Sequence, residues 1–206
     1  MQEVTLRPGR DRSARRRHPW LLSGSVVREP GEAAAGEIVR VRSAEGEILG
    51  YGDYAPRSQI RVRLHAFGKE EPAPDWALAR LAAAAARRAS DPALAGTDAV
   101  RLANAEGDGL PGLVVDRYAD IAVIRVSTGA MAARRGALAA HLERGLGVRA
   151  VVARDDAAAA RRDGFAAADG ILAGALPEGG AVEIAEHGRR YRVDPLHGQK
   201  TGFYLD

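Results

Sequence analysis

Residues 60–64 read Ile60-Arg61-Val62-Arg63-Leu64, a strict alternation of apolar and basic side chains. Successive side chains of a β-strand point to opposite faces of the sheet, so this spacing predicts a strand. Ile60, Val62 and Leu64 would face a core, while Arg61 and Arg63 would face outward. The stretch therefore predicts a half-buried β-sheet in the N-terminal part of the chain.

Shorter strand-like stretches precede this strand. Residues 4–6 alternate in the same way, and residues 37–41 and 47–51 form a predicted hairpin with Gly46 in its turn. Asp11 or Ser13 can cap a short basic helix, which must end near His18 because a residue before proline disfavours the helical conformation. Residues 1–68 are thus predicted to form a small β-rich domain with one helix.

The pattern changes beyond residue 68. The charged, proline-rich stretch 67–74 predicts a linker, and Asp75 then begins a helix that runs to about Arg88, so 69–91 is interpreted as linker and helix. Strands are predicted at 100–102, 113–115, 121–126 and 150–153. Helices are predicted at 130–146 and from Asp155 or Asp156. This alternation predicts a central α/β domain over 92–180.

The last segment, 181–206, is predicted to begin as a β-hairpin, with strands at 182–185 and 191–193 around a turn at 186–188. A polar loop bracketed by Gly198 and Gly202 follows, and its spacing alone fits a ligand-facing turn or a simple linker. An apolar, aromatic run comes directly after this loop. Such a run is expected to lead into a further packed domain, so the chain is expected to be interrupted after Asp206.

The composition narrows the function classes. The chain has 206 residues, a hydrophobic fraction of 46% and no cysteine, which excludes disulfides, thiolate metal sites and a thiol nucleophile within it. The five histidines show no metal-ligand spacing. No stretch approaches the ~18 apolar residues of a membrane span, and the N-terminus lacks the apolar core of a signal peptide. A cytoplasmic protein is the expectation.

Positive charge is concentrated near the N-terminus, where six arginines between residues 10 and 28 stand against Asp11. A guanidinium contacts phosphates and an exposed tryptophan can stack on an unpaired base, so the cluster favours an RNA partner. Trp20 is predicted to be a core residue, with the exposed stacking position as the alternative. The candidate RNA-contacting residues are Arg12, Arg15, Arg16, Arg17, His18, Arg57, Arg61 and Arg63.

Residues 107–112 match the dinucleotide-binding pattern G-x-G-x-x-G. That pattern binds phosphate only where a strand enters the loop and a helix leaves it. Here the exit, residues 113–116, is a β-type run, and Pro111 lies inside the loop. We therefore predict a structural turn between strands, with Glu106, Asp108 and Asp116 as turn formers and solvated charges.

With these residues in view, the chain resembles class I S-adenosylmethionine (SAM)-dependent 23S rRNA cytosine-5 methyltransferases that begin with a PUA domain. The resemblance spans the whole segment. It rests on Arg17-His18-Pro19-Trp20 with Ser23-Gly24, Tyr54-Ala55-Pro56-Arg57-Ser58-Gln59-Ile60-Arg61, Glu106-Gly107-Asp108-Gly109-Leu110-Pro111-Gly112-Leu113 with Asp116-Arg117, Glu186-His187-Gly188, Val193-Asp194 and Gly198-Gln199-Lys200-Thr201-Gly202-Phe203-Tyr204-Leu205-Asp206.

The resemblance implies a multi-domain protein: a small PUA-like β-barrel, an α/β domain, a β-hairpin and then a Rossmann-like methyltransferase domain, expected beyond residue 206. In such enzymes one cysteine thiolate adds to C6 of the target cytosine and a second assists release. The cofactor is SAM, bound mainly by the last domain, with no metal. No catalytic residue is therefore expected in this segment, and the cofactor-binding residues stay unassigned. Gln199, Lys200, Thr201 and Tyr204 are expected near the active site.

The resemblance implies 23S rRNA as the partner and no association with a membrane. The oligomeric state stays open, and a homodimer is one of the alternatives. The segment alone is expected to bind RNA without methylating it. The alternative is a stand-alone RNA-binding module with no chemistry. A small-molecule α/β enzyme is the third hypothesis, and it lacks a candidate active site.

Overall fold

The computed structural model describes residues 1–203 and residue 205. Its N-terminal part is one six-stranded sheet with strand order β2-β6-β5-β4-β1-β3, in which β1 and β4 run parallel and the other pairs antiparallel. The elements are β1 (Glu3–Leu6), α1 (Arg12–Arg15), β2 (Trp20–Leu22), β3 (Val26–Arg28), β4 (Ile38–Arg42), β5 (Ile48–Tyr54) and β6 (Ile60–Phe67). The sheet is an open half-barrel with β2 and β3 at its edges, not a closed barrel.

The core of this sheet follows the predicted alternation. Val62 and Leu64 are fully buried, together with Val4 and Leu6 of β1 and alternate residues of β4. The prediction that Arg63 faces outward is wrong, because the opposite face of β6 is covered by the second half of the chain. There the Arg63 guanidinium lies 3.2 Å from the Asp163 carboxylate, and both side chains are buried.

The second sheet has five strands in the order β11-β10-β9-β8-β7. Only β9 and β10 run parallel, joined through α3. The elements are α2 (Trp76–Ala89), β7 (Ala99–Asn104), β8 (Leu113–Tyr118), β9 (Ile121–Val126), α3 (Gly129–Gly145), β10 (Ala150–Arg154), α4 (Ala157–Asp163) and β11 (Asp169–Gly174). The predicted α/β alternation is confirmed, and Asp156 is the residue that caps α4.

The sheet is covered on both faces. Ala122 and Ile124 of β9 pack with α2 and α3, whereas Ile121 and Val123 pack with a hairpin on the other side. The hairpin consists of β12 (Val182–Glu186) and β13 (Arg189–Val193), whose residues Val182, Ile184 and Val193 are buried. Burial on both faces explains why residues 121–124 are continuously apolar.

A polar junction links the two sheets. Besides the Arg63–Asp163 pair, Arg134 of α3 lies 3.2 Å from the Asp53 carboxylate of β5. His65 of β6 stacks on Trp76 of α2, with ring centroids 3.8 Å apart. Within the described residues, no helix has the length and apolar character that a membrane crossing requires.

Candidate nucleic-acid interface

α1 and its connection to β2 expose four residues, Arg12, Arg16, Arg17 and His18, which we call the basic corner. α1 is a single turn, and Arg17 adopts a left-handed φ of 59°, so the chain leaves the helix before Pro19 and turns successive side chains toward solvent. In the described part of the chain, no hydrogen bond or ion pair engages the guanidinium groups of Arg12, Arg16 and Arg17. These three charges are available to a polyanion.

Arg15 differs from its neighbours although it is also exposed. Its guanidinium lies 2.6 Å from Asp11 and 2.6 Å from Glu47, which precedes β5. The hydrogen bonds to Glu47 and Asp11 raise the pKa of Arg15, and the bond from Arg15 lowers the pKa of Asp11. Arg15 therefore holds α1 against the β4–β5 turn, and its charge is already compensated.

Trp20 lies beside the basic corner, and the prediction that it belongs to the core is wrong. Its side chain is 41% exposed. β2 is a three-residue edge strand in which only the middle residue, Leu21, reaches the core, so Trp20 and Leu22 both point outward. The indole Nε1–H donates a 2.8 Å hydrogen bond to Glu106, in the turn between β7 and β8.

The remaining predicted arginines are not equivalent. Arg57 is exposed in the β5–β6 turn. Arg61 is partly covered, donates to the Pro56 carbonyl and lies 3.5 Å from Glu29. Arg63 is buried against Asp163. Of the predicted RNA-contacting residues, the structure exposes the basic corner, Arg15 and Arg57, and it encloses Arg63.

The C-terminal loop packs on β8. Thr201 is buried, and its hydroxyl donates a 2.6 Å hydrogen bond to the Asp116 carboxylate and lies 3.0 Å from the Tyr118 hydroxyl. Asp116 also accepts a 2.8 Å bond from Arg101 and has no exposed surface, so the prediction of a solvated charge is wrong. Burial raises the pKa of Tyr118. Thr201 thus serves as an internal anchor of the loop.

Gln199 and Lys200 are exposed on this loop, and Tyr204 lies outside the described residues. Arg154 donates to the carbonyls of Pro195 and Gly198, at 3.1 Å each. A Cβ on Gly198 would lie 2.5 Å from the Asp194 carbonyl oxygen, so this glycine permits the loop to close on itself. An adjacent cleft of about 340 Å³ is lined by Arg101, Val114, Arg125, Ser127, Lys200, Thr201, Phe203 and Leu205.

The G-x-G-x-x-G stretch forms no cofactor cradle. It joins the antiparallel strands β7 and β8, as predicted, and no helix follows it. Asp108 in this turn is not solvated as predicted, because it accepts hydrogen bonds from Arg87, Arg88 and the Asn104 N–H. Among residues 1–203 and 205, no three His, Asp or Glu side chains are grouped as metal ligands would be.

Known proteins are similar to this chain in sequence. A family model described as a PUA-like domain matches residues 4–67. Ribosomal RNA large subunit methyltransferase I from Serratia proteamaculans is 37% identical over 202 residues, and that from Shewanella denitrificans is 38% identical over 205 residues. Each alignment covers 98% of this chain and 51% of the relative, so the chain spans about half the length of the curated relatives it matches.

Two solved structures share the fold. A protein described as a SAM-dependent methyltransferase from Streptococcus mutans superposes with a TM-score of 0.75 at 18% identity, covering 100% of this chain and 52% of its own. A methyltransferase solved in complex with SAH gives a TM-score of 0.78 at 19% identity, covering 100% of this chain and 51% of its own. Residues 4–67 thus form a PUA-like domain, and the chain is a homologue of ribosomal RNA large subunit methyltransferase I over about half of that protein's length.

Proposed function

We propose that this chain recognises 23S ribosomal RNA for a SAM-dependent methyl transfer to C5 of a cytosine. The observation that carries the proposal is a set of exposed arginines without partners at one corner of a PUA-like domain, in a homologue of rRNA methyltransferases. Phosphate contacts by arginine supply most of the sequence-independent affinity for nucleic acid. The basic corner would provide these contacts, and the exposed Arg57 of the separate β5–β6 turn would add one.

The chain's own part in the reaction is binding and orientation. SAM supplies the methyl group in the proposed reaction. The 206 residues contain no cysteine, so no thiol within them can attack C6 of the base. The RNA would be held by the basic corner while the chemistry takes place elsewhere in the enzyme.

For the loop carrying Gln199, Lys200 and Thr201 we propose a position beside the reacting RNA. The loop borders a cleft whose lining includes Lys200 together with Arg101 and Arg125, each of which also pairs with an aspartate. A lysine ammonium suits a point contact to a phosphate. In an enzyme assayed for methyl transfer, Lys200→Ala should lower the rate at least tenfold, which corresponds to about 1.4 kcal/mol in the barrier. Lys69→Ala, at the other lysine of the chain, is the control. Equal activity of both variants would reduce the loop to a structural role.

Binding to RNA is the first test of the proposed function. Fluorescence anisotropy of a labelled rRNA stem-loop, titrated with the purified chain at several salt concentrations, should show binding that weakens with salt. The slope of log K against log salt should be near ~0.7–0.9 per neutralised phosphate. Absence of binding at low salt would contradict the proposal.

The alternative is an RNA-binding module without chemistry. It is consistent with the G-x-G-x-x-G turn, which joins two antiparallel strands and forms no nucleotide cradle. Calorimetric titration of the 206-residue chain with SAM should show no micromolar binding, because the described residues offer no phosphate- or ribose-binding motif. Micromolar affinity would contradict that expectation. The non-catalytic alternative would be excluded if an enzyme that contains these 206 residues transfers methyl groups and loses that activity when the 206 residues are deleted.

A further inference from the structure

The two tryptophans of the chain have opposite environments. Trp76 is 4% exposed and stacks on His65, with the guanidinium carbons of Arg80 and Arg134 5.1 Å and 5.4 Å from its ring centroid. Trp20 is 41% exposed. Among the described residues, the only ring against it is His18, nearly perpendicular at 83° with centroids 5.8 Å apart. The indole therefore has exposed surface, and among the described residues no other ring is stacked on it.

The exposed indole of Trp20 is also held in place. The Nε1–H of Trp20 donates to a Glu106 carboxylate oxygen at 2.8 Å, and Glu106 belongs to the second sheet's β7–β8 turn, 86 residues away. Stacking uses the π-face and not the N–H, so this bond does not compete with a stacked ligand. It fixes the ring orientation in advance, which reduces the conformational entropy that a flexible side chain would lose on binding.

The cations that precede Trp20 in the chain indicate which kind of ligand the ring would bind. Arg16, Arg17 and His18 precede Trp20 within four residues, and both guanidinium groups lack partners in the part of the chain that the structure describes. An aromatic face next to cations that can bind phosphate is the arrangement with which proteins hold unpaired nucleotides. An apolar protein segment would leave those cations without counter-charges.

We propose that Trp20 is a stacking site for an unpaired base of the RNA, with Arg16 and Arg17 on its phosphates and Glu106 as the residue that positions the indole. This role rests on the RNA recognition proposed above and adds to it the class of nucleotide that is bound. Duplex RNA buries its base faces in the stack, so Trp20 would distinguish looped from fully paired RNA.

The test compares two RNA hairpins that share one stem. One has a loop of natural nucleotides, and in the other every loop position is abasic. Base–aromatic stacking contributes roughly 5-fold to 160-fold in affinity per base. Trp20→Ala should lose affinity for the natural hairpin by a factor in this range, whereas Trp20→Phe, which keeps a ring, should lose less. On the abasic hairpin the wild type and both variants should bind equally, and the salt slope should not change.

Fluorescence gives a second readout and tests the positioning role of Glu106. The natural hairpin should quench the tryptophan emission of the wild type. Trp20→Phe should abolish this quenching, because the remaining tryptophan, Trp76, is buried. Glu106→Ala should weaken binding to the natural hairpin, and Glu106→Gln, which keeps an acceptor for the indole N–H, should restore it.

Wild-type affinity of Trp20→Ala for the natural hairpin, with salt-dependent binding retained, would overturn the stacking site and leave the proposed function intact. Failure of the wild type to bind either hairpin would overturn the proposed function and the stacking site with it.

Discussion

Asp108 lies in a turn that looks like a loop of solvated charges, yet its side chain is only 4% exposed. Arg88 donates two hydrogen bonds of 2.7 Å to its carboxylate, Arg87 donates one of 2.6 Å, and the Asn104 N–H donates one of 2.7 Å. Burial raises the pKa of Asp108, but the hydrogen bonds from Arg88 and Asn104 outweigh burial and hold the pKa below its ordinary value of 3.8. The carboxylate therefore ties the turn to the end of α2.

This arrangement predicts a pH-dependent effect of Asp108→Asn. A carboxyl whose folded pKa is depressed stabilises the fold above its unfolded pKa, and the contribution is lost as the pH falls through the folded pKa. Urea unfolding at neutral pH should show a loss of about 2 kcal/mol in the variant. The difference between wild type and variant should stay constant down to about pH 5 and shrink below the ordinary value of 3.8. An equal difference at pH 7 and pH 3 would contradict the assignment.

Among the elements, the sequence predicted those whose residues carry a long, regular pattern. The alternation in β6 and the continuous apolar run of β9 located both strands. Asp75 and Asp156 located the starts of α2 and α4, although only Asp156 caps its helix with side-chain hydrogen bonds. β2, β3 and β11 were not predicted. β2 and β3 have three residues each, too few for a period to be seen, and β11 contains two glycines and the exposed Ile171 and Leu172. These strands are specified by pairing with distant neighbours, which leaves little local trace.

Gly112, at the end of the β7–β8 turn, packs against the start of α3. Its φ is 82°, and a Cβ there would lie 2.4 Å from Cγ2 of Thr128, the residue whose hydroxyl caps α3. Gly46 is a matched control, because its φ is 86° and a Cβ there would have no atom within 4 Å. Both Gly→Ala variants carry the left-handed cost of about 1–2 kcal/mol.

Only Gly112→Ala also displaces the helix cap. Its free energy of unfolding should fall a further ~1–3 kcal/mol below that of Gly46→Ala, because the added methyl overpacks the site. Chemical denaturation of the two variants side by side measures the difference. Equal losses in the two variants would show that backbone conformation accounts for the whole effect.

At the scale of the whole molecule, the decisive contacts join residues far apart in the chain. Arg63 meets Asp163 across 100 positions, and Trp20 meets Glu106 across 86. The alternation in β6 predicted which side of the strand Arg63 occupies, but not that α4 would cover that side. The exposed Trp20 could have been suspected from its neighbour Leu22, since both alternate around the buried Leu21. Nothing in the local sequence marks Glu106 as its partner.

The arginines of the basic corner can be tested separately from the rest of the positive charge on the molecule. Arg15 is compensated by Asp11 and Glu47, so Arg12, Arg16 and Arg17 are the arginines to remove together. Arg144, Arg189 and Arg192 are exposed on α3 and the hairpin and lose the same charge when changed to alanine. This second triple variant separates local phosphate contacts from a general loss of positive charge.

The measurement is the slope of log K against log salt for a stem-loop RNA with the wild type and both triple variants. If all three corner arginines touch phosphate, the Arg12/Arg16/Arg17→Ala slope should be shallower by about two to three, while the Arg144/Arg189/Arg192→Ala slope should match the wild type. An unchanged slope in the corner variant, or an equal reduction in both, would contradict recognition of RNA through this corner.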